Sequence, residues 1–344
     1  MSASDDDGIE ARPPREATCL YGHREAEGAL LASYRSGRFA HAWLIGGPAG
    51  IGKATLAYRM ARFILAHPDP DAPLVQGATS LDVNADHPVA RRIAAQGQGD
   101  LLVLERTINE KTGKLRQDIQ VDDVRRTVTF FGSTPAEGGW RVVIVDSVDE
   151  LNREGANALL KVLEEPPRRA ALLLVNHSAA RVLPTIRSRC RTLALRPLSA
   201  TDVAYAAAAA IGKMSDDPDV AAAAAAAEGS VQRALAYLNG DALELRNRIS
   251  ALLEGLPAID PRALHALGDR LYGTDPATLA AFVDTVNAWL SARLTAGLDA
   301  AGLARVAEVW ERVNLAARDA AEFNLERKPL VFNVFGWLAE AARR

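Results

Sequence analysis

Five short apolar runs punctuate the first 195 residues: Ala42–Ile45, Leu101–Leu104, Val142–Val145, Leu172–Val175 and Thr192–Leu195. All but the last lead through a polar turn into a segment of helical spacing. Short apolar runs alternating with amphipathic segments predict a parallel sheet covered by helices. After the first run, Leu56, Met60, Phe63 and Ile64 mark one helix face. After the third, Ala156, Leu159, Leu160 and Leu163 mark another, with Asn152 as its cap and Pro166-Pro167 as its stop.

The pattern changes after Pro197. Two alanine-dense stretches, Ala204–Ala210 and Ala221–Ala227, are split by Lys213–Pro218 and predict a small helical domain. Beyond residue 243 strand alternation disappears. Leu279, Val283, Val286, Trp289, Leu290 and Leu294 trace a helix face, and Trp310, Phe332, Phe335 and Trp337 fall on later helices, as in a helical bundle. The expected division is a leader over 1–16, an α/β core over 17–197, a small helical domain over 198–242 and a helical domain over 243–344. The leader combines Asp5-Asp6-Asp7 with Pro13-Pro14 and is expected to be disordered.

Composition narrows the class. The 344 residues carry 40 basic and 43 acidic side chains, a net charge of −3, which argues against a bulk polyanion-binding tail. Cys19 and Cys190 are the only cysteines, too few for a disulfide framework or a four-cysteine zinc site. No basic n-region precedes an apolar core, and no run of about 18 apolar residues occurs. A cytoplasmic protein is expected.

The first run opens into Gly46-Gly47-Pro48-Ala49-Gly50-Ile51-Gly52-Lys53-Ala54-Thr55. Gly47, Gly52 and Lys53 meet the G-x-x-x-x-G-K spacing between a strand and a helix. There glycines turn backbone N–H groups toward a phosphate, and the lysine reaches the β- and γ-phosphates. Gly47, Gly50, Gly52, Lys53 and Thr55 are therefore candidate nucleotide-binding residues. The hydroxyl that ligates Mg²⁺ belongs at the position after the lysine. Ala54 stands there, and Thr55 comes one residue late, about 100° further round the helix. Arg141–Asp146 forms an apolar strand ending in a carboxylate suited to ordering a metal. The next residue is Ser147, a poor general base near neutral pH.

Three segments carry a family resemblance: the loop around Lys53, Gly139–Asp146, and Asn157-Ala158-Leu159-Leu160-Lys161-Val162-Leu163-Glu164-Glu165-Pro166-Pro167 followed by Ser188-Arg189-Cys190. Together they resemble the clamp-loader branch of the AAA+ family, and within it the delta-prime subunits of bacterial DNA polymerase III. The resemblance spans roughly residues 20–335. It is strongest over 40–195 and thinnest near the end, where Asn324–Lys328 matches best. It implies a five-stranded P-loop (AAA+) core, a helical lid and an all-α collar for oligomerisation. Subunits of this kind form a partial ring that sets a sliding clamp on primed DNA.

The resemblance assigns Arg189 as an arginine finger that reaches a neighbour's γ-phosphate. It places Asn176 at the sensor 1 position, with His177 and Ser178 as competitors. Its lid motif falls on Gly229-Ser230-Val231-Gln232-Arg233-Ala234-Leu235, with Gln232 where an arginine belongs and Arg233 one step away. Many relatives carry four zinc-binding cysteines after the P-loop helix. Here that segment holds no cysteine, only His67 and His87 with several aspartates, so no zinc and no metal site are expected. Residues 168–201 carry Arg168, Arg169, Arg181, Arg187, Arg189, Arg191 and Arg196 and no acid, a charge of +7 that suits a subunit interface better than DNA tracking.

The expectation is a stator: no hydrolysis of its own, no required cofactor, weak ATP or ADP binding at a degenerate site, and Arg189 donated in trans. Its partners would be the motor subunits and delta, and indirectly the clamp and primed DNA. The alternatives are an active motor ATPase of the same loader, or a DNA-binding adaptor with an inert P-loop.

Overall fold

The computed structural model describes residues 12–109, 111, 113, 115–133, 139–239, 241–272, 276–294 and 299–342. Most of the leader expected over 1–16 lies outside them. Of its last five residues, Arg15 is tied down, its carbonyl accepting from Arg62 Nη2 at 2.9 Å.

Five strands appear where the apolar runs predicted them: β1 Ala42–Gly46, β2 Leu101–Glu105, β3 Arg141–Asp146, β4 Ala170–Asn176 and β5 Arg191–Ala194. They form one sheet in the order β2-β3-β4-β1-β5, every pair parallel. Successive side chains on a strand point to opposite faces. On β4, Ala171, Leu173 and Val175 therefore enter one core layer, and Ala170, Leu172 and Leu174 enter the other. Trp43 and Ile45 on β1 and Val142 and Ile144 on β3 join the first layer; Leu44, Val143 and Val145 join the second. Burial on both faces explains why the runs are continuous rather than alternating.

Helices α1 (Arg24–Arg35), α2 (Lys53–Ala66), α3 (Pro73–Gly77) and α4 (Pro88–Ala94) precede β2, and α5 (Val121–Gly132) follows it. The predicted α2 face is completely enclosed: Leu56, Met60 and Ile64 are 0% exposed. Helix α6 (Arg153–Glu164) is capped by Asn152, whose Oδ1 accepts from Gly155 N at 2.8 Å, and it stops before Pro166. The short α7 (Pro184–Arg187) leads to β5.

The chain divides into two compact units, residues 1–235 and 236–344. In the first, the alanine stretches become α8 (Ala200–Ile211) and α9 (Pro218–Ala226), capped by Ser199 and Asp217, and α10 begins at Val231 and runs to Leu238. The second unit is all-helical among the described residues: α11 (Ala242–Glu254), α12 (Pro261–Arg270), α13 (Pro276–Leu294), α14 (Ala300–Glu322) and α15 (Arg327–Ala342). They share a core around Ile249, Phe282, Val286, Leu290, Val313 and Phe335. No described helix is long and apolar enough to cross a membrane.

Candidate functional site

The register of the parallel sheet gathers the candidate residues at one edge. Gly46 pairs with Asn176 on β4 and with Ala194 on β5, and Asp146 pairs with Glu105 on β2 and Val175 on β4. The carboxyl ends of four strands thus face the loop between β1 and α2. In open α/β sheets this is where ligands bind.

The loop 47–52 is wound tightly. Gly47, Gly50 and Gly52 have φ of 149°, 75° and 95°, which L side chains avoid. Lys53 is 3% exposed, and its Nζ donates to the carbonyls of Gly47, at 2.7 Å, and of Pro48. An ammonium has three donors, so these two bonds fix the loop and leave one for a ligand. Burial pulls Lys53 down to about 8, against the attraction of Asp146 and Asp149. Ala54 and Thr55 sit in the first turn of α2, both half-buried.

Asp146 is pushed up to about 6, first by burial and then by the carboxylates of Glu105 and Glu150, with Lys53 opposing. Tyr58 on α2 is raised to about 12 by burial and by the same acids, Glu105 and Asp146. Ser147 is 1% exposed, and its Oγ has no hydrogen-bond partner among the described residues. Asn176 is 2% exposed with Oδ1 likewise unpartnered, and a Cβ on Gly46 would lie 2.8 Å from that oxygen. At the competing positions, the backbone N–H groups of His177 and Ser178 donate to the Asp149 carboxylate at 2.9 and 3.2 Å. Glu150 pairs with Arg106 at 2.9 Å.

The lid motif rests directly on the loop. Val231 N and Gln232 N both donate to Gly50 O, at 2.8 and 3.3 Å. A methyl group on Gly50 would come within 2.3 Å of Ser230 Oγ and 2.6 Å of Gln232 Cβ. Gln232 therefore stands at the loop, while Arg233 turns away to pair with Glu228 at 2.8 Å. A third layer comes from the segment before α1, which the sequence reading did not single out. His23 Nε2 bonds Ile51 O at 2.8 Å, and burial lowers the pKa of that imidazole. Tyr21 stacks on Tyr205 of α8 at 6.2 Å between ring centroids. Gly22-His23 lacks any distinctive motif, so only proximity reveals it.

These residues fit a nucleotide phosphate: a glycine loop, one free ammonium donor and the N-terminus of α2. They fit its Mg²⁺ poorly, because Ala54 has no oxygen to offer at the position after Lys53. The His67 and His87 rings lie 6.2 Å apart. Among the described residues no group of three or more His, Cys, Asp or Glu is arranged to hold a metal ion.

Arg189 follows α7 by two residues. Its Nη1 donates to Thr185 O at 3.0 Å and Ser188 Oγ at 3.3 Å, and its Nη2 pairs with Glu164 Oε1 at 2.7 Å. The side chain is 36% exposed. Arg168, Arg169, Arg181, Arg187 and Arg196 are exposed, and Arg191 lies over the Trp43 ring at 4.8 Å.

The model of the family described as "DNA polymerase III, delta subunit" matches residues 22–199, a span that contains the P-loop, Asp146 and the Ser188-Arg189-Cys190 motif. DNA polymerase III subunit delta' of Pseudomonas aeruginosa is 40% identical over 151 residues, 44% of this chain and 42% of that protein. The delta' subunit of Escherichia coli K12 is 32% identical over 235 residues, 67% of this chain and 64% of that protein. The matched region thus spans between about two fifths and two thirds of these relatives' length. A solved gamma subunit-related protein of Thermotoga maritima covers 91% of this chain at 17% identity and a TM-score of 0.44, too low a score to add to the sheet order. With more than half of its length inside the family model, the chain belongs to the family described as "DNA polymerase III, delta subunit", and delta' subunits are among its relatives.

Proposed function

We propose that the chain is a stator of the clamp loader: it organises the assembly, does not hydrolyse ATP, and donates Arg189 to ATP held by a neighbouring subunit. One observation carries the proposal. The nucleotide loop keeps its phosphate-binding parts, yet alanine, serine and glutamine stand at its metal, base and lid positions. Ser147 in particular is enclosed without a partner, while Asp149 and Glu150 are committed to other groups. Arg189, by contrast, is 36% exposed and bonds Glu164, Thr185 and Ser188 rather than any residue of the glycine loop.

In this proposal residues 17–197 form the core, 198–242 the lid and 243–344 the collar. The partners are the motor subunits and delta, with the clamp and primed DNA reached through them, in the cytoplasm. ATP or ADP binds weakly through Lys53 and the loop amides, and neither it nor zinc is required. The exposed arginines of residues 168–201 line the face offered to acidic or phosphate groups of a neighbour. Because six of the seven arginines in this segment have no carboxylate partner among the described residues, a DNA-binding adaptor is the second reading. It predicts tight, salt-sensitive DNA binding by the isolated chain.

The test is ATP turnover. The isolated chain should show none, and Arg189→Ala should slow the assembled loader at least about tenfold, a conservative share of what arginine fingers supply. Robust turnover by the isolated chain identifies a motor instead, and an unaffected loader removes the finger.

A further inference from the structure

Residues 168–201 contain seven arginines and no acid, and among the described residues only Arg189 of the seven makes an ion pair. Its partner comes from outside the segment. Glu164 is the last residue of α6, and its Oε1 lies 2.7 Å from Arg189 Nη2. A guanidinium carries five N–H donors. Three are spent within the chain, on Glu164 Oε1, Thr185 O and Ser188 Oγ. The terminal nitrogens are the ones that pair side by side with a carboxylate or phosphate. Both carry bonds here, so an end-on grip through the two terminal nitrogens competes with this set, while Nε–H and one Nη2–H remain to meet an arriving phosphate. The position at the C-terminal end of α6 also favours a cation, because the unpaired carbonyls there carry partial negative charge.

We propose that Glu164 is the positioning residue of the finger: it parks Arg189 against α6 until the phosphate of a neighbour's nucleotide displaces the carboxylate. This rests on the finger assignment made above and adds to it the competitor that sets how often the finger is available. The pair is open to solvent, with Glu164 50% and Arg189 36% exposed. Such pairs are weak, so the parked state is favoured by only about two- to fivefold and a multiply charged phosphate overcomes it readily. The arginine stays ordered and neutralised until its target arrives.

The experiment uses loader assembled from full-length chains carrying Glu164→Gln, Arg189→Ala or both, with turnover resolved into kcat and KM for ATP. Glu164→Gln keeps the shape and removes the charge. It should raise kcat about two- to fivefold at unchanged KM and unchanged melting temperature. The same substitution should do nothing in the Arg189→Ala background. If Glu164→Gln leaves kcat unchanged or lowers it while Arg189→Ala still slows turnover, the parking role is overturned and the finger stands. A rise that persists without Arg189 also overturns it. If Arg189→Ala does not slow turnover, the finger assignment itself fails.

Discussion

At Asp146, burial and the carboxylates of Glu105 and Glu150 act in one direction and only Lys53 opposes them. The folded chain therefore holds the Asp146 proton up to about pH 6, above the ordinary value of 3.8. Between those values the folded state binds more protons than the unfolded one, so this residue's contribution falls as pH rises through the window. At pH 7.5 the ionised carboxylate costs stability in the nucleotide-free chain. Asp146→Asn should therefore stabilise the isolated chain by on the order of 1–3 kcal/mol at pH 7.5 and by nothing below pH 4. Urea midpoints at both pH values test this, and a lowered midpoint at pH 7.5 would show that Lys53 dominates instead. The candidate residues themselves were readable because G-x-x-x-x-G-K and a strand-terminal aspartate are local patterns. The charge balance was not, since Glu105 meets Asp146 only through the pairing of β2 with β3.

Among the elements, strands were the most legible. A segment buried on both faces must be apolar at every position, and β4 is, from Ala170 to Val175. Helix α6 was legible down to its cap, because Asn152 and the two prolines bracket an apolar face of helical period. The docking of α10 on the loop was not, since its bonds are from backbone N–H groups that any residue carries. Gly50 is the exception: with φ of 75° and Ser230 Oγ where its Cβ would lie, no other residue fits with the lid in place. Gly50→Ala should detach the N-terminus of α10 and cost about 1–3 kcal/mol. Hydrogen exchange should show it as faster exchange at Val231 and Gln232, with the β4 amides unchanged. Equal protection at those two amides would mean that the loop yields rather than the lid.

On the scale of the whole molecule, the net charge of −3 conceals a strongly basic segment, and the two units keep separate apolar cores. Both follow from composition read in blocks. What composition leaves out is the stretch before α1, which crosses from α2 to the lid. Arg59 and Arg62 donate to the carbonyls of Thr18, Ala17 and Arg15. Leu20 then lies 3.7 Å from the space beside Gly52, and Tyr21 reaches Tyr205. Cys19 is exposed in this stretch, whereas burial pushes the Cys190 thiol up to about 12. Alkylating reagents attack the thiolate, so at pH 7.5 a maleimide dye should label the wild-type chain once, at Cys19. Peptide mapping checks this, and equal modification of Cys190 would contradict it. The protein thus comes with a native attachment point for a fluorophore between the glycine loop and α8, through which movement of these two elements can be watched in real time without altering a residue.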